Sequence, residues 1–220
     1  MWISHAELPL KANQLCHALA IELGSTDFNA GNTPSITTLV GCCQGLITVD
    51  KEASTVRLIH FTLKEYFSAD PDIFSRPHSS MAEICLTYLN SKQVKALPAN
   101  APRRHSSFND DYPFLEYCSS YWGVHTNHDL SDCSRSLSLQ LLQEFDDHVS
   151  IYFLIKHLGS LELSGFWYLY ELSVVQCASL FGIIEIVAAL IRIQGYGTKW
   201  GWHLGIHHLH RLPVTDTRKW

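Results

Sequence analysis

A phosphate-binding loop is missing from the sequence. Nowhere in its 220 residues does a Gly-x-x-x-x-Gly-Lys-Ser/Thr segment occur, and no acidic strand end for Mg²⁺ follows one. Such a loop is needed because its backbone N–H groups surround the phosphates of a bound nucleotide. Its absence excludes a nucleotide-hydrolysing module of this kind from these residues. We therefore expect a non-catalytic chain that hydrolyses neither ATP nor GTP and needs no cofactor.

Paired cysteines are also absent. The chain has seven cysteines, an odd number, and no Cys-x-x-Cys pair. Several lie in periodic apolar runs, where a thiol behaves as a small hydrophobic group. This usage indicates a reducing compartment. The segment Met1–Glu7 lacks the basic and apolar regions of a signal peptide, so we expect a cytoplasmic, intracellular protein.

Positive charge is sparse. The chain has 16 lysines and arginines against 21 aspartates and glutamates, for a net charge of −5. Up to Phe67 the only basic residues are Lys11, Lys51, Arg57 and Lys64, and the acidic residues outnumber them. Binding to a phosphate backbone needs the opposite balance. We expect no nucleic acid and no anionic membrane surface as a partner.

The longest apolar run is not a good membrane helix. Val174–Ile191 is about long enough to span a bilayer, but Gln176, Ser179, Gly182 and Glu185 interrupt it. Two short buried helices around a glycine turn explain the segment better. We therefore expect no membrane span.

Residues 1–67 have the pattern of a winged-helix domain. Apolar residues at helical spacing predict two helices, and β-rich segments on either side of a polar turn predict a hairpin. The predicted elements are a helix over Ala12–Leu23 closed by Gly24, a helix opened by Thr33-Pro34 and closed by Gly45, and two strands, Leu46–Val49 and Thr55–Phe61.

A third helix is predicted to follow the hairpin. Thr62 and Glu65 have the spacing of a capping box, in which each side chain bonds a free backbone N–H of the first turn. Phe61 and Tyr66 occupy the two positions of a hydrophobic staple. Helix capping accounts for Thr62 and Glu65 without a functional role.

Residues 68–172 are predicted to form a helical linker region, and residues 173–193 a helix pair. Hydrophobic periodicity stops after Gly195, so residues 194–220 are predicted to be an irregular tail. The predicted elements are a helix capped by Ser80 and Glu83, a loop over Lys92–Asp111, an aromatic helix over Pro113–Trp122 ended by Gly123, an amphipathic helix around Leu137–Val149, and helices over Ser173–Phe181 and Ile183–Arg192 around Gly182.

Five segments of the chain carry a family resemblance. They are Leu15–Ala20, Leu39–Asp50, Val56–Thr62 with Glu65 and Tyr66, Tyr112–Tyr117 with Tyr121–Gly123, and Ser173–Ile191. The first three resemble the winged-helix region that follows the NACHT module in fungal NACHT–ankyrin (NLR-like, STAND-class) proteins. The fourth resembles the aromatic segment before the ankyrin array, and the fifth is similar to one ankyrin repeat. The proline and histidine of the usual ankyrin tetrapeptide are missing, and the tail departs from the family.

The resemblance implies both a fold and a function. The fold class is mainly α with a small β-hairpin wing: a winged helix, a helical linker and a partial ankyrin repeat. The implied function is a non-catalytic regulatory and interaction segment that couples a nucleotide-binding core to an ankyrin sensor array. Implied partners are the NACHT domain of a longer chain, and proteins bound by the ankyrin region. A winged-helix DNA-binding module and a non-functional fragment of a truncated gene are the alternatives.

His60 is the candidate nucleotide-sensing residue. In related nucleotide-switch proteins a winged-helix histidine at a similar place contacts the β-phosphate of ADP, so the resemblance implies this role for His60 when a NACHT domain is present. Val56, Leu58 and His60 share one face of the predicted strand. We expect that face to be buried and His60 to lie at a domain boundary. A histidine bonded to a nearby carbonyl is the alternative.

The adjacent thiols of Cys42 and Cys43 raise the possibility of a nucleophile. No arrangement of histidine, aspartate and oxyanion-binding glycine accompanies them in the sequence. We expect buried thiols on a helix and no catalytic residue.

Four histidines of the tail raise the possibility of a metal site. His203 and His207 have the i, i+4 spacing of a helical zinc pair, and His208 and His210 follow. Zinc usually requires a third protein ligand, and the surrounding glycines and tryptophans do not predict a helix. We expect no metal here.

Overall fold

The first part of the chain has the two predicted helices, the hairpin and the third helix in that order, preceded by the one-turn helix α1 (Trp2–His5), which was not predicted. The computed structural model describes residues 1–70, 72–99, 108–160 and 173–194. The strands pair antiparallel, with Ile47 opposite Leu58 and Val49 opposite Val56. The elements are α1 (Trp2–His5), α2 (Ala12–Leu19), a 3₁₀ turn (Ala30–Asn32), α3 (Ile36–Cys42), β1 (Ile47–Val49), β2 (Val56–Leu58) and α4 (Phe61–Ala69).

The extended segment before α2 lies beside the hairpin. Val56 N–H donates to the Leu10 carbonyl at 2.9 Å, and Ala12 N–H donates to the Ser54 carbonyl at 2.9 Å. These bonds satisfy backbone groups on the outer edge of β2 that would otherwise be unpaired. Leu10 and Val56 are both buried, so the pairing closes the small core under the wing.

Helix ends in this part differ from the predictions. α2 ends at Leu19, and Gly24 lies in the turn that follows, with a φ of 82°. α3 begins after Ser35 and not at Pro34, because the Ser35 hydroxyl accepts the Thr38 N–H at 3.1 Å. A serine at the N-cap satisfies one of the free N–H groups of a first turn, and this local bond fixes the start.

Helices α5 and α8 form the centre of the described structure. α9 packs against α5, and α10 packs against α8. Large side chains that are fully buried here include Met81, Tyr88, Phe114, Trp122 and Leu142. The elements are α5 (Pro77–Leu89), α6 (Lys92–Lys95), α7 (Phe108–Asp111), α8 (Leu115–His128), α9 (Asp132–Gln143), a 3₁₀ turn (Phe145–Asp147) and α10 (Ser150–Ser160).

Several predictions for this region need correction. α5 begins at Pro77 rather than after a cap at Ser80, since proline is well suited to the first helical position. The predicted loop over Lys92–Asp111 contains the one-turn helices α6 and α7. Helix α8 continues through Gly123 to His128 instead of ending at the glycine.

A tight helix pair follows, as predicted. α11 (Val174–Leu180) is capped by Ser173, whose hydroxyl accepts the Gln176 N–H, while the Gln176 side chain accepts the Ser173 N–H. Gly182, with a φ of 70°, turns the chain into α12 (Ile184–Gln194). The apolar run Val174–Ile191 is therefore two helices. Within the described residues no helix is long and apolar enough to cross a membrane.

The apolar face of α12 is partly covered. From the sequence, Ile186, Val187 and Leu190 are expected to be left partly uncovered for lack of a following repeat. That expectation is wrong for Ile186 and Leu190, which are buried, because α12 packs against α11 and α9. The exposed apolar side chains are instead Ile184, Ile191 and Ile193. The tail from residue 195 onward lies outside the described residues.

A buried histidine joins α5 to the start of α10. His148 is 3% exposed. Its Nε2 lies 3.0 Å from the Leu89 carbonyl oxygen, and its Nδ1 accepts the Ser150 N–H at 3.2 Å. An imidazole with this pair of partners is neutral, with the proton on Nε2.

We expect His148 to make the protein less stable in acid. Burial lowers the pKa of His148, and nearby Lys95 lowers it too, against the opposing effects of the Leu89 carbonyl and Glu144. The unfolded chain therefore takes up the proton at a higher pH than the folded one. The stabilisation is complete above the ordinary histidine pKa of about 6.5 and is lost as pH falls below it.

Urea unfolding at pH 7.5 and pH 5 measures this effect. His148→Asn keeps an acceptor for the Ser150 N–H but cannot be protonated. We expect this variant to lose less stability between the two pH values than the wild type does. An equal loss in both would contradict the assignment.

Candidate functional site

His60 caps the N-terminus of α4. Its backbone is extended, and its Nδ1 accepts the Thr62 N–H at 3.3 Å. The predicted capping box of Thr62 and Glu65 is therefore wrong, because the helix begins at Phe61, one residue before the expected cap. Histidine is an unusual N-cap residue, but its ring nitrogen satisfies the N–H in the same way as a serine oxygen.

This cap determines which nitrogen of His60 carries the proton. Nδ1 accepts from the Thr62 backbone, and it also lies 2.8 Å from the Thr62 hydroxyl oxygen. A neutral imidazole that accepts at Nδ1 has its hydrogen on Nε2. The neutral side chain therefore presents an Nε2–H donor, which can bond an external acceptor oxygen.

The expected burial of His60 is not observed. Val56 is buried and Leu58 is partly buried, but His60 is exposed. β2 ends at Leu58, so the strand alternation that relates Val56 to Leu58 does not continue to His60. In the described structure the imidazole is accessible from solvent.

Large apolar side chains on either side of His60 in the chain are also exposed. Leu46 and Ile59 are joined by a backbone hydrogen bond of 3.1 Å, and the His60 and Phe61 rings lie 4.6 Å apart. We call Leu46, Ile59, Phe61 and Tyr66 the wing-edge patch; their exposed fractions are 45%, 56%, 68% and 60%. The predicted staple of Phe61 and Tyr66 does not bury either ring. No residue of α4 is fully buried. The helix packs lightly on α1 and β2, and its Phe61 and Tyr66 side chains leave apolar surface exposed.

The cysteine pair is more exposed than the sequence predicts. Cys42 is exposed and Cys43 is partly buried, so the expectation of two buried thiols is wrong. They lie at the end of α3, which packs only lightly on α2 and has no buried residue. The four tail histidines, His203, His207, His208 and His210, lie outside the described residues.

One group of potential metal ligands occurs in the described part of the chain. It consists of Glu7, His78 and His125, whose ligand atoms all lie within 4.8 Å of one another. These residues could not be identified from the sequence because they come from three distant segments and have no spacing signal. Only the i, i+3 pair of His125 and His128 on one helix could have pointed to them.

Comparison with known proteins shows a similarity in the first part of the chain. Residues 1–85 match the family model of the winged helix domain of GPI inositol-deacylase. The N-terminal part is a winged helix domain. The match includes α1 to α4 and extends into α5, beyond the boundary predicted at residue 67. No curated protein and no solved structure matches the chain.

Proposed function

We propose that the chain is a non-catalytic regulatory segment that couples a nucleotide-binding NACHT domain to a protein-binding ankyrin array. In this proposal the winged helix domain packs against the nucleotide-binding domain of a longer chain. Helices α5 to α10 then link it to the ankyrin-like pair α11 and α12. The match to a winged helix domain supports an interaction role, but it does not include the catalytic part of a deacylase, and no deacylase activity is proposed here.

The exposure of the wing-edge patch is the observation that supports the proposal most. Large apolar side chains left exposed in this way are typical of protein interaction sites. The patch includes both chain neighbours of His60, and the His60 Nε2–H has no hydrogen-bond partner among the described residues. A domain seated on the patch would bury Phe61 and Tyr66 and bring its own ligand close to His60.

The start of α4 favours an anion beside His60. A helix N-terminus carries partial positive charge and free N–H groups. The Nε2–H donor of His60 lies at this end of the helix. The two features together suit a phosphate oxygen of a nucleotide held by the partner domain.

The helix pair at the far end fits the ankyrin part of the proposal. An ankyrin repeat contains two antiparallel helices joined by a tight turn, and α11, Gly182 and α12 have this form. The exposed side chains of Ile184, Ile191 and Ile193 would be covered by a following repeat.

DNA binding is the less favoured alternative. Many winged helix domains bind DNA through their second or third helix, and α3 has the sequence ITTLVGC, without lysine or arginine. Neutralising phosphates requires basic residues on that helix. Salt-dependent DNA binding by the chain would support this alternative against the proposal.

We expect His60→Ala to weaken ADP retention in the complete receptor by roughly tenfold or more. A hydrogen bond to a charged group contributes about 1.5–3 kcal/mol, and about 1.4 kcal/mol corresponds to tenfold in affinity. Dissociation of a fluorescent ADP analogue from the purified receptor measures the effect.

His60→Asn is the matched control for helix capping. Asparagine is a good N-cap residue, but its shorter side chain cannot reach as far as an imidazole Nε2. We expect the asparagine variant to unfold like the wild type yet to lose ADP like the alanine variant. Unchanged ADP retention in both variants would make His60 a capping residue only.

A further inference from the structure

Four histidines and a glutamate meet where the N-terminal segment crosses helices α5 and α8. Glu7 follows α1, His78 lies in the first turn of α5, and His125 and His128 lie in the last turn of α8. His5 is close, with its ring 5.9 Å from that of His78. The cluster thus joins the winged helix domain to the central helix pair.

His78 and His125 approach each other through their Nδ1 atoms. The Nδ1 atoms of His78 and His125 lie 2.9 Å apart. Two lone pairs at this distance repel each other unless a proton or a cation lies between them. The Glu7 carboxylate completes a triangle in which all three ligand atoms are within 4.8 Å. In a tetrahedral zinc site, bonds of about 2.0–2.1 Å place ligand atoms roughly 3.4 Å apart, so small side-chain movements suffice.

Tyr117 holds His125 in a suitable orientation. The Tyr117 hydroxyl oxygen lies 2.9 Å from His125 Nε2 and accepts the Glu7 N–H at 3.2 Å. When Nε2–H donates to this oxygen, the Nδ1 of His125 has a free lone pair directed at His78. Metal-bound histidines commonly donate their second nitrogen in this way, which fixes the tautomer. Tyr117 also ties the backbone of Glu7 to the same point.

The cluster has neutral histidines and an open side. Burial, with smaller contributions from neighbouring histidines, lowers the pKa of His125 to about 3 and that of His78 to about 4. Both rings are therefore unprotonated at neutral pH, as a ligand must be. Glu7 and His128 have side chains that are 31% and 51% exposed, with His128 Nε2 4.0 Å from Glu7 Oε1. An ion can enter from this side.

We propose that Glu7, His78 and His125 bind one divalent transition-metal ion of the zinc type, with water or His128 as the fourth ligand. Two imidazoles and one carboxylate favour zinc over magnesium or calcium, which prefer oxygen ligands alone. A bound ion fastens the N-terminal segment to α5 and α8. It therefore strengthens the junction between the winged helix domain and the helical region.

Zinc titration of the full chain tests this proposal. The protein is stripped with a chelator, and Zn²⁺ binding is followed by calorimetry and by thermal unfolding. We expect one ion per chain and an unfolding midpoint raised by about 5–10 °C at a zinc concentration about 100-fold above Kd. No binding, or no rise in the midpoint, contradicts the proposal.

Variants assign the ligands. Glu7→Gln and His78→Gln replace groups that are not fully buried, and we expect each to weaken zinc binding by at least tenfold while the circular dichroism spectrum is unchanged. His125→Gln should do the same, but it alters a buried residue, so the other two variants decide the outcome. Wild-type affinity in the Glu7→Gln, His78→Gln double variant would overturn the proposal.

A matched control excludes the other potential ligands. Replacing His203, His207, His208 and His210 together by glutamine should leave the one-ion stoichiometry and the affinity unchanged. The Co²⁺-loaded protein should show visible d–d bands without an intense thiolate charge-transfer band. Loss of binding in the tail variant, or a strong thiolate band, would place the metal elsewhere and refute the site at Glu7.

Discussion

Replacing Trp122 by alanine is expected to destabilise the protein by about 3–5 kcal/mol, the usual cost of truncating a large buried aromatic side chain. Trp122 has no exposed surface and is the largest of the fully buried side chains. It lies on α8, and its ring is 5.0 Å from that of Phe181. Because domains have only about 5–15 kcal/mol of stability in total, this loss should shift the urea midpoint markedly.

A conservative variant separates packing from hydrogen bonding at this position. The indole Nε1 of Trp122 is buried and has no partner among the described residues. Trp122→Phe removes this unpaired donor while it retains much of the ring. We expect a loss smaller than about 2 kcal/mol, because the relief of an unpaired buried group offsets part of the cavity. Equal losses in the phenylalanine and alanine variants would mean that the indole has a partner after all.

The elements that could be predicted from the sequence are those specified by local pattern. The hairpin was predictable because β-branched residues such as Val49 and Val56 flank a polar turn. The turn between α11 and α12 was predictable because Gly182 adopts a positive φ that other residues rarely adopt. In both cases a few neighbouring residues contain all the information.

Helix boundaries were less predictable because several residues compete to set them. Thr62 has a capping pattern, yet the ring of His60 caps α4 from two residues earlier. Ser80 also has a capping pattern, yet α5 begins one turn earlier, at Pro77. Each choice depends on backbone geometry imposed by the preceding turn, as with Arg76 in its left-handed conformation.

The candidate sites depend on contacts between distant segments, which one sequence does not reveal. His60 could be named from the family resemblance, but its exposure follows from where β2 ends. The group of Glu7, His78 and His125 is assembled only when the N-terminal segment packs on α8. That packing rests on Trp2, whose ring lies 5.5 Å from Phe114 and 6.0 Å from Tyr117.

Gly123 shows how a tertiary contact can overrule a local signal. A glycine in this position predicts a helix end, yet α8 continues through it. A Cβ atom at Gly123 would lie 2.1 Å from Cγ and 2.2 Å from Cδ2 of Phe181. These atoms are at the base and side of the ring, so they cannot move away without a shift of the residue itself. The glycine is required because Phe181 packs directly on the helix backbone.

We expect Gly123→Ala to destabilise the protein by about 1–3 kcal/mol. Alanine favours a helix interior over glycine by about 1 kcal/mol, so an isolated helix would gain from the change. Overpacking typically costs about 1–3 kcal/mol and sometimes more, and a separation of 2.1 Å is severe. The cost of the clash should exceed the gain in helix preference, and α11 should be displaced from α8. Urea unfolding, with amide exchange across α11 and α12, measures both effects.

A double-mutant cycle with Phe181→Ala decides whether the clash is the cause. Once the ring is gone, the added methyl group meets no obstacle, and only the helix preference remains. Gly123→Ala should then be neutral or should stabilise the Phe181→Ala background by up to about 1 kcal/mol. The coupling between the two sites should amount to at least about 1 kcal/mol, within the range found for residues in contact. Additive losses would instead show that α11 does not pack on Gly123, and that the helix pair is joined to α8 in another way.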